Sequence, residues 1–491
     1  MMPVIAQTSL AQQALAALQR QGAVLSGITA DSRRVASGQA FAAYAGMRQN
    51  GRDFVAQAIA AGATAVLWDD GEGRPAGLPD GFPAVGVPAL KQQISALADL
   101  LYGQPSHLLR VIGVTGTNGK TSCSHWIAQA MTALGQTTAV MGTLGNGIPP
   151  MLTYTGNTTA DAAELQRQLA GFLASGATFV AMEASSEGLD QGRVNAVRFD
   201  MAVLTNLTRD HLDYHGDMEH YAAAKARLFA WPDLRAAVLN ADDAFGQRLL
   251  AEGGVSAREV VSYGLVQGDV RGTSLQTGTG GLSMRVETPW GKGQLQASVV
   301  GRFNAENLLA CLSVLLLNGV ELDAALAVLS AVVPPPGRMQ MIGGGKQPLV
   351  LVDYAHSPDA LEKVLHTLRQ SGLSGRLFCV FGCGGDRDAG KRPLMGEIAA
   401  RLADQVVVTS DNPRQEDPLQ IVADIRAGMS GAGEWVEPDR AGAIARAITA
   451  AEAGDIVLIA GKGHENWQEI AGQRYPFDDL QVARAALEGR P

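Results

Sequence analysis

Leu109-Arg-Val-Ile-Gly113-Val-Thr-Gly116-Thr-Asn-Gly119-Lys120-Thr121 passes from an apolar run into a glycine-rich turn. Behind it Trp126, Ile127, Ala130, Met131 and Leu134 recur at helical spacing, so the stretch reads as strand, loop and helix. Gly-Lys-Thr at such a junction is the context a phosphate-binding loop requires, because backbone N–H groups and the positive end of the helix then face the anion. Lys120 is placed for the β and γ phosphates of ATP, and the Thr121 hydroxyl for Mg2+, a hard cation that prefers oxygen. The common pattern separates its outer glycines by about four residues. Gly113 and Gly119 have five between them, which marks a subclass.

Working outward, residues 177–182, 201–204 and 236–239 are short apolar runs separated by helical segments, the pattern of a parallel α/β sheet. Before the loop, residues 40–44 and 65–68 are strand-like and lie among Ala-rich helical stretches, up to a polar, Pro-containing segment at 103–107. Pro334, Pro335, Pro336 and Gly337 form a stiff connector. Beyond them, strand candidates at 349–352, 377–381, 405–409 and 456–460 each end in a loop rich in Gly, Asp, Pro or His. The reading is an α/β protein of three domains: a smaller N-terminal α/β domain (1–107), a central P-loop ATPase-like parallel sheet (108–335) and a C-terminal Rossmann-like α/β domain (336–491). Ligands are expected at the carboxyl ends of the strands.

Composition narrows the function classes. Of the 491 residues, 46% are hydrophobic and 18% charged, enough for several cores and far from the disordered regime. A formal net charge of -9 argues against a nucleic-acid partner. Cys123, Cys311, Cys379 and Cys383 fall in no paired C-x-x-C spacing, so neither a disulfide framework nor a zinc ribbon is indicated. No export signal and no membrane span is read, and a cytoplasmic monomer acting on small molecules is expected.

Further motifs lie where the sheet should present them. Glu183 closes the apolar run at 177–182, and Thr208-Arg-Asp-His211-Leu-Asp-Tyr-His215 follows the run ending at Leu204. Carboxylate and imidazole there could hold a second Mg2+, although the His-containing stretch alone is more often a solvated turn. Gly116-Thr-Asn-Gly-Lys-Thr121, Glu183-Ala-Ser-Ser186, the stretch 208–215, Lys225, Arg302-Phe-Asn-Ala-Glu-Asn307 and Asp353-Tyr-Ala-His356 together resemble the motif set of the Mur ligases, in order through all three domains.

That resemblance implies an ATP-dependent, amide-forming ligase. ATP phosphorylates a substrate carboxylate, and an amine attacks the acyl phosphate. It implies ATP contacts at Gly116, Thr117, Asn118, Gly119, Lys120, Thr121, Asn304, Asn307, Arg338 and Asp353. Two Mg2+ ions are implied, the first on Thr121 and the second on Glu183 and His211, with Lys225 carbamylated by CO2 beside it. Lys120, Lys225 and His211 form the implied catalytic set. A UDP-sugar peptide is expected at Ser32, Met47, Arg48, Gln49, Asn157, Thr158, Thr159, Ser185, Gln191 and Arg193. By chemistry alone Lys225 reads as an ordinary helix-surface lysine and Ser185 as a helix cap. Glu187 stands where the family often carries His, and Met47 and Arg48 where it often carries His and Gln.

Asp411-Asn412-Pro413-Arg414 resembles the family's signature for meso-diaminopimelate rather than L-lysine, with Arg387, Gly461 and Glu465 completing that site. A guanidinium can meet the extra carboxylate of diaminopimelate with two parallel hydrogen bonds, and lysine offers it nothing. Open alternatives are an L-lysine-adding member and a folylpolyglutamate synthase, the latter disfavoured by the segment with Asp31-Ser32-Arg33 ahead of the loop. A kinase or ATPase would not need the third-domain motif, and a nucleotide-sensing scaffold would not need Glu183 with His211.

Overall fold

The computed structural model describes residues 4–46, 49–278, 280–370, 375–429 and 434–490. Met47 and Arg48 lie outside them. Three large sheets and one hairpin organise the described chain.

The central sheet is built outward from Arg110–Thr115, flanked by Phe179–Glu183 on one side and Phe199–Leu204 on the other, all parallel. Thr138–Gly142 extends it past Phe179–Glu183, and Ala236–Asn240 and Glu259–Gly264 extend it past Phe199–Leu204. The strands Val270–Gly278, Gly281–Thr288 and Gly291–Ala297 then turn the far edge into an antiparallel meander, so the sheet is mixed rather than wholly parallel. Gly113 belongs to the strand and pairs with Met182 and Ala202. It is required because a Cβ there would sit 2.8 Å from the Phe199 ring, so the phosphate loop proper spans 116–119.

Helix Lys120–Ala133 follows the loop, and Arg302–Leu317 packs beside it. After a polar first turn the second helix is almost wholly apolar from Leu308 on, as a helix segment enclosed by other elements must be. Leu308, Leu309, Leu312 and Leu315 are fully buried, each contributing roughly 1.5–3 kcal/mol.

The N-terminal sheet, Gly27–Thr29, Gln39–Ala43, Ala65–Asp69 and Ala84–Val87, is parallel throughout. Its helix Leu90–Leu101 shares a core with Ala162 and Ala163 of the central domain. Ser95 and Ser106 accept hydrogen bonds from the backbone of Ala196 and Arg198, at 2.9 and 3.0 Å.

The C-terminal sheet runs Gln340–Gly343, Leu349–Asp353, Ile456–Ala460, Leu377–Phe381, Gln405–Val408, Glu434–Val436, parallel except for its first strand. Two of its strand ends are tied by Arg440, which donates to the carbonyls of Ser410 and Ala460 and forms a two-pronged pair with Asp479 at 2.7 Å, both side chains fully buried. Truncating one member of such a pair strands the other charge in the core. Arg440→Ala is expected to destabilise the C-terminal domain by about 3–5 kcal/mol, read as a lowered urea midpoint. A change below about 1 kcal/mol, the size of an exposed pair, would contradict that reading.

Candidate active site

The phosphate loop is shaped by its glycines. Gly116 has φ 147° and Gly119 φ 88°, and a Cβ on Gly116 would lie 1.9 Å from the Thr205 hydroxyl. The loop is laced to the segment after Phe199–Leu204. Asn118 N–H donates to Asn206 Oδ1 at 3.0 Å, and Thr208 N–H to the Thr117 hydroxyl at 2.9 Å.

Two lysines converge on one carbonyl. Lys120 Nζ donates to the oxygens of Gly116 (2.8 Å) and Thr117 (2.9 Å), and Lys225 Nζ donates to the same Gly116 oxygen at 2.8 Å. Lys225 is 1% exposed, so it is not the surface lysine its sequence position suggested. Its ammonium lies 4.5 Å from the centre of the Tyr221 ring. Burial, reinforced by the neighbouring Lys120, pushes the Lys225 amine well below the ordinary lysine value, and burial likewise lowers Lys120.

Glu183 is fully buried and accepts from the Thr143 N–H (3.0 Å) and hydroxyl (3.1 Å). Among the described residues no Lys, Arg or His forms an ion pair with it. A buried carboxylate without a counter-ion is costly, and oxygen donors suit Mg2+, so this residue fits the implied ion. His211, in a left-handed conformation (φ 53°), lines the same cavity and stands 3.7 Å from Glu187 and 3.6 Å from Asp210. Among the described residues no three His, Cys, Asp or Glu side chains form a group able to hold a metal.

The cavity, about 430 Å3, is walled by both large domains. Asn304 and Asn307 line one wall, where the Asn307 amide donates to Asn304 Oδ1 at 3.3 Å. From the C-terminal domain, Arg338 reaches the Thr121 hydroxyl at 3.2 Å with its guanidinium 4.7 Å from the centre of the Tyr354 ring. Asp353 accepts from the backbone N–H of Met339 and Ala355 at 2.8 Å, and burial raises its carboxyl.

Residues read as substrate contacts form one network beside Glu183. The Thr143 and Thr158 hydroxyls are 3.1 Å apart, Thr159 Oγ1 donates to the Glu183 carbonyl at 2.9 Å, and Ser185 Oγ lies 3.0 Å from Thr159 Oγ1. Arg193 donates to the Thr159 carbonyl and to Gln191 Oε1, both at 2.7 Å. Ser185 also caps the short helix Ser186–Asp190, as its bland reading held. Asn157 and Gln49 are exposed, and the buried Ser32 donates to Gln57 at 3.5 Å in the N-terminal domain. Tyr44, which the sequence did not single out, is pushed up to about 12, mainly by burial and then by Asp161.

In the C-terminal domain Arg414 (φ 51°) donates to the Gly385 carbonyl at 2.7 Å. A Cβ on Gly384 would lie 2.9 Å from Arg414 Nη1 and 3.9 Å from Arg387 Cγ, so the two arginines flank one glycine. Asn412 donates to Glu465 at 2.8 Å, and the buried Lys462 ties both at 2.9 and 3.2 Å. Gly461 (φ 115°) leaves room for the Asp411 carboxylate, which a Cβ would meet at 2.6 Å, and Pro413 is buried. Tyr354 joins this loop cluster to the cavity, stacking 4.6 Å from His356 and 5.1 Å from His464. Residues of the junction that the sequence did not single out are Asp359 and Lys363, on the helix Pro358–Gln370.

A phosphate loop in a mostly parallel sheet, covered by a second α/β domain that sends an arginine onto the loop threonine, defines the class. Family models for the Mur ligase family, catalytic domain (24–99), the Mur ligase middle domain (114–315) and the Mur ligase, glutamate ligase domain (337–463) match in that order, and the chain belongs to the Mur ligase family. It is 53% identical over 473 residues to the UDP-N-acetylmuramoyl-L-alanyl-D-glutamate--2,6-diaminopimelate ligase of Chromobacterium violaceum, covering 96% of each chain. The enzyme of the same name from Pseudomonas aeruginosa is 51% identical, covering 94% of each chain. A solved structure, also of a ligase of that name, aligns with a TM-score of 0.69 at 41% identity, covering 94% of this chain and 95% of the other.

The buried Lys225 has a consequence for stability. Unfolded, it holds its proton up to the ordinary lysine value, whereas the folded, depressed amine gives it up at lower pH, so stability is lost as pH falls below the ordinary lysine value. Between about pH 7 and 10, unfolding midpoints of the native chain are expected to rise more steeply than those of Lys225→Met. Parallel slopes would contradict the depressed amine.

Proposed function

We propose that this chain is an ATP-dependent ligase that adds meso-diaminopimelate to the D-glutamate γ-carboxylate of UDP-N-acetylmuramoyl-L-alanyl-D-glutamate, a step of peptidoglycan precursor synthesis. Relatives of about half identity over nearly the whole chain carry that name. The observation that carries the reading here is the pairing of Arg414 and Arg387 around Gly384, with Glu465 held by Asn412 and Lys462 a few residues from Tyr354 and the ATP cavity. Guanidinium groups suit a carboxylate, and the Glu465 carboxylate suits an ammonium. L-lysine lacks the group the arginines would meet.

In this scheme the domains divide at about residues 107 and 335, as the polar and proline-rich connectors suggest. ATP lies in the cavity with its phosphates on Gly116, Thr117, Asn118, Gly119 and Lys120, and its nucleoside toward Asn304, Asn307, Arg338 and Asp353. The muramoyl dipeptide lies along the Thr158, Thr159, Ser185, Gln191 and Arg193 network, with Ser32, Gln49 and Asn157 toward its nucleotide end. The γ-carboxylate attacks the terminal phosphorus, ADP leaves, and the diaminopimelate amine displaces phosphate from the acyl phosphate. Lys120 and Arg338 are poised to offset charge on the transferring group. Mg2+ held by Thr121, and a second ion by Glu183, His211 and a carbamylated Lys225, would supply further neutralisation. A neutral, buried amine is the form that adds CO2, which is what the surroundings of Lys225 favour. The chain acts as a cytoplasmic monomer in this reading; among the described residues no helix is long and apolar enough to cross a membrane.

With UDP-muramoyl dipeptide, ATP and Mg2+, phosphate release is expected to depend on added meso-diaminopimelate. L-lysine should give a kcat/KM lower by on the order of 10^4, because it lacks the carboxylate that a site built on guanidinium groups would bind. Release that ignores the amino acid, or that prefers lysine, would overturn the assignment.

A further inference from the structure

Asp359, in the first turn of Pro358–Gln370, places one carboxylate oxygen against three donors. Asn118 Nδ2 reaches it at 3.1 Å and Thr208 Oγ1 at 2.9 Å, both across the cleft from the central domain, and Lys363 Nζ reaches it at 3.0 Å from its own helix. Ser357, Ala360 and Lys363 face the cavity on this side, whereas the Asp359 carboxylate is turned onto the loop and the segment behind it.

The two residues it grips belong to one unit. The Asn118 carbonyl accepts from Thr205 Oγ1 at 2.6 Å and from Asn206 Nδ2 at 3.1 Å, and the Thr117 hydroxyl donates to the Thr208 carbonyl at 3.1 Å. A shift of the phosphate loop therefore moves both donors of Asp359 together. Bonds to an ionised acceptor are about twice as strong as neutral ones, and Lys363 with the helix N-terminus balances the charge brought toward the phosphates.

We propose that Asp359 is a positioning residue: through Asn118 and Thr208 it ties the C-terminal domain to the phosphate loop, so that the cleft is held shut on the acyl phosphate until the amine attacks. This rests on the ligase reading above. Asp359 is not among the residues lining the cavity, so its loss acts on closure rather than on binding of either group to its own domain.

The test uses Asp359→Ala, Asp359→Asn and Thr208→Val in the full chain, each checked for a native melting profile. Asp359→Ala is expected to raise KM for the amine by about tenfold or more while nucleotide Kd changes by less than about threefold. Phosphate released per amide formed should rise above the native ratio, because an open cleft admits water. Asp359→Asn, which keeps one acceptor oxygen, should lie between, and Thr208→Val should share the defect in milder form. Small-angle scattering with a non-hydrolysable ATP analogue should show the native chain contracting and Asp359→Ala failing to contract. That readout needs no amide formation, so it judges Asp359 even if the ligase reading fails in the native chain. Native coupling and native amine KM in both Asp359→Ala and Thr208→Val, or full contraction of Asp359→Ala, would overturn the proposal.

Discussion

Lys120 and Lys225, which would repel one another in free solution, are brought to a single acceptor, the carbonyl oxygen of Gly116. That convergence is possible because the loop at Gly116 takes a conformation closed to other residues and packs hard against Thr205. Burying both amines beside each other disfavours their charged forms, and Lys225, the more deeply enclosed, has no carboxylate bonded to its amine. The site thus gathers two lysines on one carbonyl of the phosphate loop, both with amines lowered by burial. The rest of the fold serves to keep that arrangement in register.

The supporting structure is unevenly distributed. The central domain carries the loop, Glu183 and the threonine network on adjacent parallel strands, whose carboxyl ends must lie together. The C-terminal domain brings Arg338 and Asp353 to the same cavity and Asp359 onto Asn118 and Thr208 beside it, and its own loops carry Arg414, Arg387 and Glu465. Tyr354, flanked by His356 and His464, is the short bridge between the two clusters, and burial lowers the His464 imidazole to about 4, keeping it neutral. A reaction that needs ATP on one domain and an amine on the other therefore depends on the cleft between them.

Much of this was legible in the sequence where the signal was local. Strand, loop and helix around Gly116 follow from neighbouring residues, and the C-terminal strands at 377–381 and 456–460 are continuous apolar runs. The meander over Val270–Gly278, Gly281–Thr288 and Gly291–Ala297 was not read, since Gly291–Ala297 alternates glycine, lysine and glutamine with few apolar side chains. Gly113 was counted with the loop because a glycine in a pattern looks the same whether it frees a turn or admits the Phe199 ring. Asp359, and the burial of Lys225 against the loop, were illegible for another reason. Their partners lie 109 and 241 residues away for the Gly116 carbonyl and Asn118, and only the assembled domains bring them into contact.

The most direct test follows a heavy-oxygen label placed in the γ-carboxylate of the D-glutamate residue of UDP-muramoyl dipeptide. If the carboxylate attacks the terminal phosphorus of ATP, one labelled oxygen must leave with the released phosphate when the amine displaces it, and mass spectrometry of that phosphate will show the label. Unlabelled phosphate, with amide still formed, would contradict the account.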